Sequence, residues 1–246
     1  MTRWKLTVEY DGGGFVGWQR QDNGPSVQAA LEAAVEKFCG EKTVVWGAGR
    51  TDAGVHALGQ VAHVDIEKKT VARVVRDAVN HHLKPLAIAV LAAEEADKNF
   101  HARLSAKGRV YRYRIVNRRA RLAVELGRAW HVPYALDAQA MHAAAQVLVG
   151  RRDFTTFRAS ECQAKSPVKT LDELSIAGDG ELIVATARAR SFLHHQVRNM
   201  VGSLVLVGRG KWRKSDMEKA LAAKDRAKGG PTAPPEGLYL VEVVYD

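Results

Sequence analysis

The residues best suited to chemistry crowd into one stretch, Gly47-Ala48-Gly49-Arg50-Thr51-Asp52-Ala53-Gly54-Val55-His56. Glycines at 47, 49 and 54 mark a backbone that turns through positive φ or approaches something closely. A phosphate loop is excluded: no Gly-Lys-Ser/Thr follows, and Gly47-x-Gly49 lacks the third glycine of a dinucleotide fingerprint. Two readings remain. One is a tight turn after a strand, with Arg50 and Asp52 paired at its surface. The other is a carboxylate held beside a cation in a closed pocket, where Arg50 favours and orients the ionised form while desolvation opposes it. Such a carboxylate suits attack at an anomeric carbon, or proton removal beside one.

Arg109-Val-Tyr111-Arg-Tyr113-Arg114 is the next candidate. On a strand, Tyr111 and Tyr113 share one face and Arg112 and Arg114 the other. That is either an amphipathic strand with core tyrosines, or a tyrosine stacked on a base with arginines on phosphates. Ser191-Phe192-Leu-His194-His195-Gln-Val-Arg198-Asn199 reads as a strand end entering a helix, with arginines suited to a phosphate. His194 and His195 are not expected to make a metal site, because adjacent side chains on a helix diverge and no carboxylate or thiol stands at ligand spacing in the sequence. The same holds for His56, His63 and the pair His81-His82. Serine and cysteine hydrolase signatures are absent. With only Cys39 and Cys162, there is neither a disulfide framework nor a Cys-x-x-Cys pair.

These residues sit in a chain of 246, enough for one large domain or two small ones. Hydrophobic residues make up 46% and charged residues 26%, too apolar for a disordered chain. No apolar run approaches the roughly 18 residues of a membrane helix, and the N-terminus alternates like a strand, not a signal peptide. A cytoplasmic location is expected. Residues 1–97 hold 11 basic and 13 acidic side chains; residues 98–246 hold 26 and 14. Arg103–Arg128 contains nine basic residues and one acid, Glu125, and Arg188–Lys214 contains seven and none. Two nearly acid-free stretches in one half favour a polyanion, most often nucleic acid.

Caps and periodicity predict helices after Ser26, over Val71–Leu83, after Asp137, over His194–Val207 and over Ser215–Ala223 with Ser215 as cap. Strands are predicted over Trp4–Tyr10, Thr43–Gly47, Gln60–Ile66, Leu86–Leu91, Arg109–Asn117, Leu171–Ile176, Glu181–Ala189 and Leu238–Tyr245. The order is βαββαβ twice: an α+β fold of two ferredoxin-like halves. Residues 1–97 form the half with the Asp52 loop, and 107–246 the basic half. Mixed sheets are expected to meet at a central basic cleft, with Asp52 opening into it.

Gly49-Arg50-Thr51-Asp52-Ala53-Gly54-Val55-His56 closely resembles the signature of the tRNA pseudouridine synthase A family. So do Phe15-Val-Gly17-Trp18-Gln19-Arg-Gln21, Phe100-His101-Ala102-Arg103, Phe154-Thr-Thr-Phe157-Arg158, Phe192-Leu-His-His195-Gln-Val-Arg198-Asn199 and Glu236-Gly237-Leu238-Tyr239-Leu240. These motifs occur in family order along essentially the whole chain. One departure lies at Lys84-Pro85-Leu86-Ala87-Ile88, which lacks the acid the family usually carries there. The resemblance implies the pseudouridine synthase fold and conversion of uridine to pseudouridine at positions 38, 39 and 40 in the anticodon arm of tRNA. It also implies a homodimer and no cofactor, with which the absence of metal and nucleotide motifs agrees. It makes Asp52 the catalytic carboxylate, Arg50 its partner, Tyr111 the ring against the flipped uracil, and Arg198 a further substrate-binding residue. Two rivals remain: an RNA-binding module, which gives Arg50-Thr51-Asp52 no role, and a nucleoside or glycoside hydrolase, which usually needs a second carboxylate.

Overall fold

Alternation of apolar residues makes Thr2–Tyr10 the first strand, β1, which buries Trp4, Leu6, Val8 and Tyr10. In the computed structural model, which describes residues 1–245, it begins a unit formed by residues 1–107 and the chain from Tyr239 onward. Helix α1 (Val27–Cys39) starts where the Ser26 hydroxyl accepts from Ala29 N–H at 3.3 Å, and ends at Gly40 with φ 78°. Strands β2 (Trp46–Gly47) and β3 (His56–Ile66), helix α2 (Ala72–Leu83) and strand β4 (Ile88–Ala96) follow. β1 lies between β4 and β3, antiparallel to both, and β2 pairs with β3 at Trp46↔His63. The order β4-β1-β3-β2 is that of a ferredoxin-like unit, as the sequence predicts. β2 is shorter than expected because two side chains, not a ladder, hold the preceding residues. Glu32 Oε1 accepts from Val45 N–H at 3.1 Å, and the Thr43 hydroxyl donates to Asp65 O at 3.2 Å.

The second unit is Gly108–Leu238. Its strands are β5 (Gly108–Asn117), β6 (Trp130–Val132), β7 (Gly150–Asp153), β8 (Val168–Asp179) and β9 (Leu182–Ala189). They pair in the order β5-β9-β8-β7, all antiparallel, with β6 running parallel to β5. β6 and β7 are additions that local pattern did not reveal. Helices α3 (Ala138–Ala145), α4 (Gln196–Gly208) and α5 (Lys214–Ala223) complete the unit. Asp137 caps α3 by accepting from Ala140 N–H at 2.9 Å. α5 starts one residue before the expected cap Ser215, because Asp216 accepts from Arg213 N–H at 2.9 Å and makes Arg213 the cap. α4 is buried on nearly every side, which explains its unbroken apolar sequence.

The last strand, β10 (Leu238–Val244), pairs in parallel with β3 at Tyr239↔His56 and Leu240↔Ala57. It thus adds to the sheet of the first unit, whereas the sequence counted it within 107–246. Among the described residues, no helix is long and apolar enough to cross a membrane.

Candidate active site

In the first unit, the stretch between β2 and β3 carries Arg50, Thr51 and Asp52. The buried Thr51 hydroxyl lies 2.8 Å from the hydroxyl of Tyr10, on β1. Burial pushes the Tyr10 phenol up to about 12, so it stays protonated at neutral pH. Gln60 Nε2 donates to Gly49 O at 2.8 Å, and Trp18 N–H donates to Thr51 O at 3.1 Å. Asp52 O accepts from Val55 N–H at 3.2 Å, closing the turn over Gly54, whose φ is 75°. The loop is therefore tied to β1, to β3 and to the segment before α1.

Two glycines permit that closeness. Gly17 has φ +112°, and a Cβ there would lie 2.6 Å from Thr51 O and 3.2 Å from the carbonyl carbon of Asp52. A Cβ on Gly12 would collide with the carbonyl of Val55. The segment Gly12–Trp18 is thus a cradle for the Asp52 loop, and only glycine fits at its two closest points.

His56 ends the loop, 2% exposed and stacked on Tyr239 at 4.7 Å between ring centres. Gly12 N–H donates to His56 Nδ1 at 3.0 Å. Asp11 Oδ1 is 3.1 Å from the same nitrogen, but it accepts from Gly13 N–H at 2.9 Å.

Asp52 itself is half-buried. The side chain of Arg50 is exposed, and among the described residues no ion pair joins the two. The expected pairing of Arg50 with Asp52 is not formed. The bonds that tie the loop to β1, to β3 and to the segment before α1 fix the backbone that carries Asp52.

In the second unit, Tyr111 and Tyr113 share the buried face of β5, as alternation predicts. Tyr113 is core: it is fully buried, and its hydroxyl donates to Pro234 O at 2.7 Å. Burial raises its ionisation well above the usual phenol range. Tyr111 is 9% exposed, with its ring edge-on to Phe192 at 5.2 Å. Arg198, on the first turn of α4, donates from Nε to Ala233 O at 2.8 Å, and its own carbonyl accepts from Ala233 N–H at 3.1 Å. The segment Ala233–Pro234 therefore braces both Arg198 and the tyrosine strand. On the opposite face Arg112 is exposed, whereas Arg114 lies 2.9 Å from Glu125 Oε2. Arg118 pairs with Glu181 at 3.0 Å, and Arg109 is buried with Nη1 on Arg190 O at 2.6 Å. Only part of the basic run Arg103–Arg128 thus offers uncompensated charge.

Sequence reasoning missed the supporting residues. Tyr10 showed only as a core position of a strand and Gln60 gave no signal. Phe192 and Asn199 lay inside a quoted motif without a role. Asn199 Oδ1 proves to accept from Arg226 Nη2 at 3.1 Å and from the Thr232 hydroxyl at 2.7 Å, a network reaching across 33 residues.

Each unit is α+β, and the first carries the glycine-cradled aspartate. A family model described as tRNA pseudouridine synthase matches residues 6–104 and 144–246, and the chain belongs to that family. It is 63% identical over 245 residues to "tRNA pseudouridine synthase A" of Paramagnetospirillum magneticum, covering 100% of this chain and 96% of the relative. It is 62% identical to the protein of the same name in Rhodospirillum centenum and 59% identical to that of Parvibaculum lavamentivorans, in both cases over 100% of each chain. A solved structure, "Crystal Structure of a Cbf5-Nop10-Gar1 Complex", superposes with TM-score 0.36 and 13% identity over 96% of this chain and 48% of that one. The family match carries the assignment.

Proposed function

We propose that this protein isomerises uridine to pseudouridine at positions 38, 39 and 40 of the tRNA anticodon stem-loop, with Asp52 as the catalytic carboxylate and without a cofactor. The observation that carries this reading is the loop Gly49–His56, held on three sides so that a half-buried aspartate is presented from a fixed backbone. The C1′–N1 bond breaks, a C1′–C5 bond forms, the C5 proton leaves and N1 gains one. Atoms and oxidation state balance without water or an oxidant. Asp52 either attacks C1′ or removes the C2′ proton; both start from a carboxylate fixed near the sugar. Reaching C1′ and C5 requires the nucleotide to leave its stack. The flipped uracil packs on Tyr111, while Arg50 and Arg198 bind substrate. The N-terminal half supplies the carboxylate, and the basic half supplies phosphate contacts. A homodimer and a cytoplasmic location complete the proposal.

Unmodified tRNA tritiated at uridine C5 tests it. The wild type should release tritium into water, while Asp52→Asn should lose several orders of magnitude in rate and still bind tRNA. Binding without release points to an RNA-binding module, and free uracil to a hydrolase. Substantial turnover by Asp52→Asn removes the carboxylate from the chemistry.

A further inference from the structure

The motif Phe154-Thr-Thr-Phe157-Arg158 has no role in the chemistry above, yet its Thr155 and Arg158 line a cavity of about 280 Å³ within the second unit. The walls are Thr155, Arg158, Ala159, Ser160, Lys224, Asp225 and Arg226: three cations and one acid. The nearby acids are turned to the backbone. Asp225 accepts from Ala227 N–H at 2.9 Å. Asp153 accepts from the Thr155 hydroxyl at 2.6 Å and from its N–H at 2.9 Å, and the hydroxyl bond holds its carboxyl below the usual carboxylate range. Lys224 Nζ approaches Asp153 only to 3.7 Å, and its side chain is 62% exposed. Arg226 spends its two terminal nitrogens on Gly230 O, Asn199 Oδ1 and Thr232 Oγ1, at 2.9, 3.1 and 3.1 Å. It therefore gives the cavity its charge from a fixed position. Arg158, half-buried, makes no side-chain hydrogen bond or ion pair among the described residues.

We propose that this cavity seats a backbone phosphate of the bound RNA, with Arg158 and Lys224 donating to its oxygens and Arg226 supplying fixed charge. The inference rests on the RNA-modifying reading and extends it to a second contact. The lining holds no aromatic ring and only one apolar residue, Ala159, so it suits a phosphodiester and not a base. It also shares a frame with Arg198. Asn199, the next residue, anchors Arg226, and Ala159 N–H donates to His194 O at 2.9 Å, just before α4.

The test is a salt titration of tRNA binding by the wild type, Arg158→Ala, Arg158→Lys and Lys224→Ala, with tritium release from wild type measured in parallel. Each lost phosphate contact should lower the slope of log affinity against log salt by about one. The affinity gap between Arg158→Ala and wild type should then shrink about threefold between 50 and 200 mM salt. Arg158→Lys should restore the slope, and inorganic phosphate should compete no better than chloride at equal ionic strength. Slopes parallel to wild type in both alanine variants, with affinities within about twofold, overturn the proposal. So does specific competition by inorganic phosphate, which makes the cavity a small-anion site. Wild-type protein that binds tRNA without releasing tritium overturns the isomerase reading alone, since the slopes still report on the cavity. If Arg158→Ala fails to fold, the exposed Lys224 keeps the comparison decisive.

Discussion

Replacing Gly17 by alanine tests whether the cradle positions the catalytic loop. The added Cβ would lie 2.6 Å from Thr51 O, and ordinary contact begins near 3.4 Å. Relief therefore moves that carbonyl, with Asp52 attached, by about 0.8 Å. Thr51 O is also the acceptor for Trp18 N–H at 3.1 Å, so the shift loosens a bond that holds the loop. A misplacement near 1 Å costs a reaction roughly 10²-fold, so kcat should fall about ten- to a hundredfold. Alanine at φ +112° adds strain of about 1–3 kcal/mol, which should appear as lost stability toward urea. Affinity for tRNA should change less than about threefold, because phosphate contacts supply most of it. The assay is single-turnover tritium release at saturating enzyme, with binding and urea unfolding measured on the same preparations. Gly14→Ala is the control, since a Cβ there meets nothing within 4 Å. A folded Gly17→Ala protein with kcat within about twofold of wild type refutes the cradle as the positioning device.

Three further outcomes are expected. Tyr111→Phe should keep the edge contact with Phe192 and hence tRNA binding; a collapse of tritium release would give the hydroxyl a part in proton movement, and a normal rate would restrict Tyr111 to packing. Burial, with the charges of Arg3 and His101, lowers His63 to about 4 against an ordinary 6.5. Its native form is therefore neutral, and the stability this supplies is complete above pH 6.5 and lost as pH falls toward 4, about 2 kcal/mol of it by pH 5. His63→Asn keeps an acceptor for Ala102 N–H, now at 3.1 Å, so the stability gap between wild type and variant should narrow by that amount between pH 7.5 and 5; a constant gap would rule out His63 as the titrating group. In salt titrations Arg112→Ala should flatten the tRNA-binding slope by about one and Arg114→Ala by less, because Glu125 already offsets Arg114. Lys69→Ala, in the acidic half, should leave the slope alone; an equal effect there would mean that the charge asymmetry is not the RNA footprint.

Local chemistry made much of this protein legible without coordinates. Ser26 and Asp137 cap helices, Gly40 ends one, and alternation in β1 and β5 assigned their buried faces, because each depends on residues within one turn or one strand. The twice-repeated element order and the Asp52 motif pointed to the family for the same reason: they are patterns of neighbours. Tertiary structure decided what depends on distant partners. β10 joined β3 through a parallel pairing about 180 residues apart, and the short strands β6 and β7 exist only because β5 and β8 offer them edges. Glu125 neutralised an arginine counted toward RNA binding, while Arg50 did not reach the aspartate two residues away. Spacing along a chain brings side chains near one another, but the backbone path decides which of them meet. Here that path is set by Gly12 and Gly17 against the carbonyls of Val55 and Thr51, a contact between segments that no periodicity records.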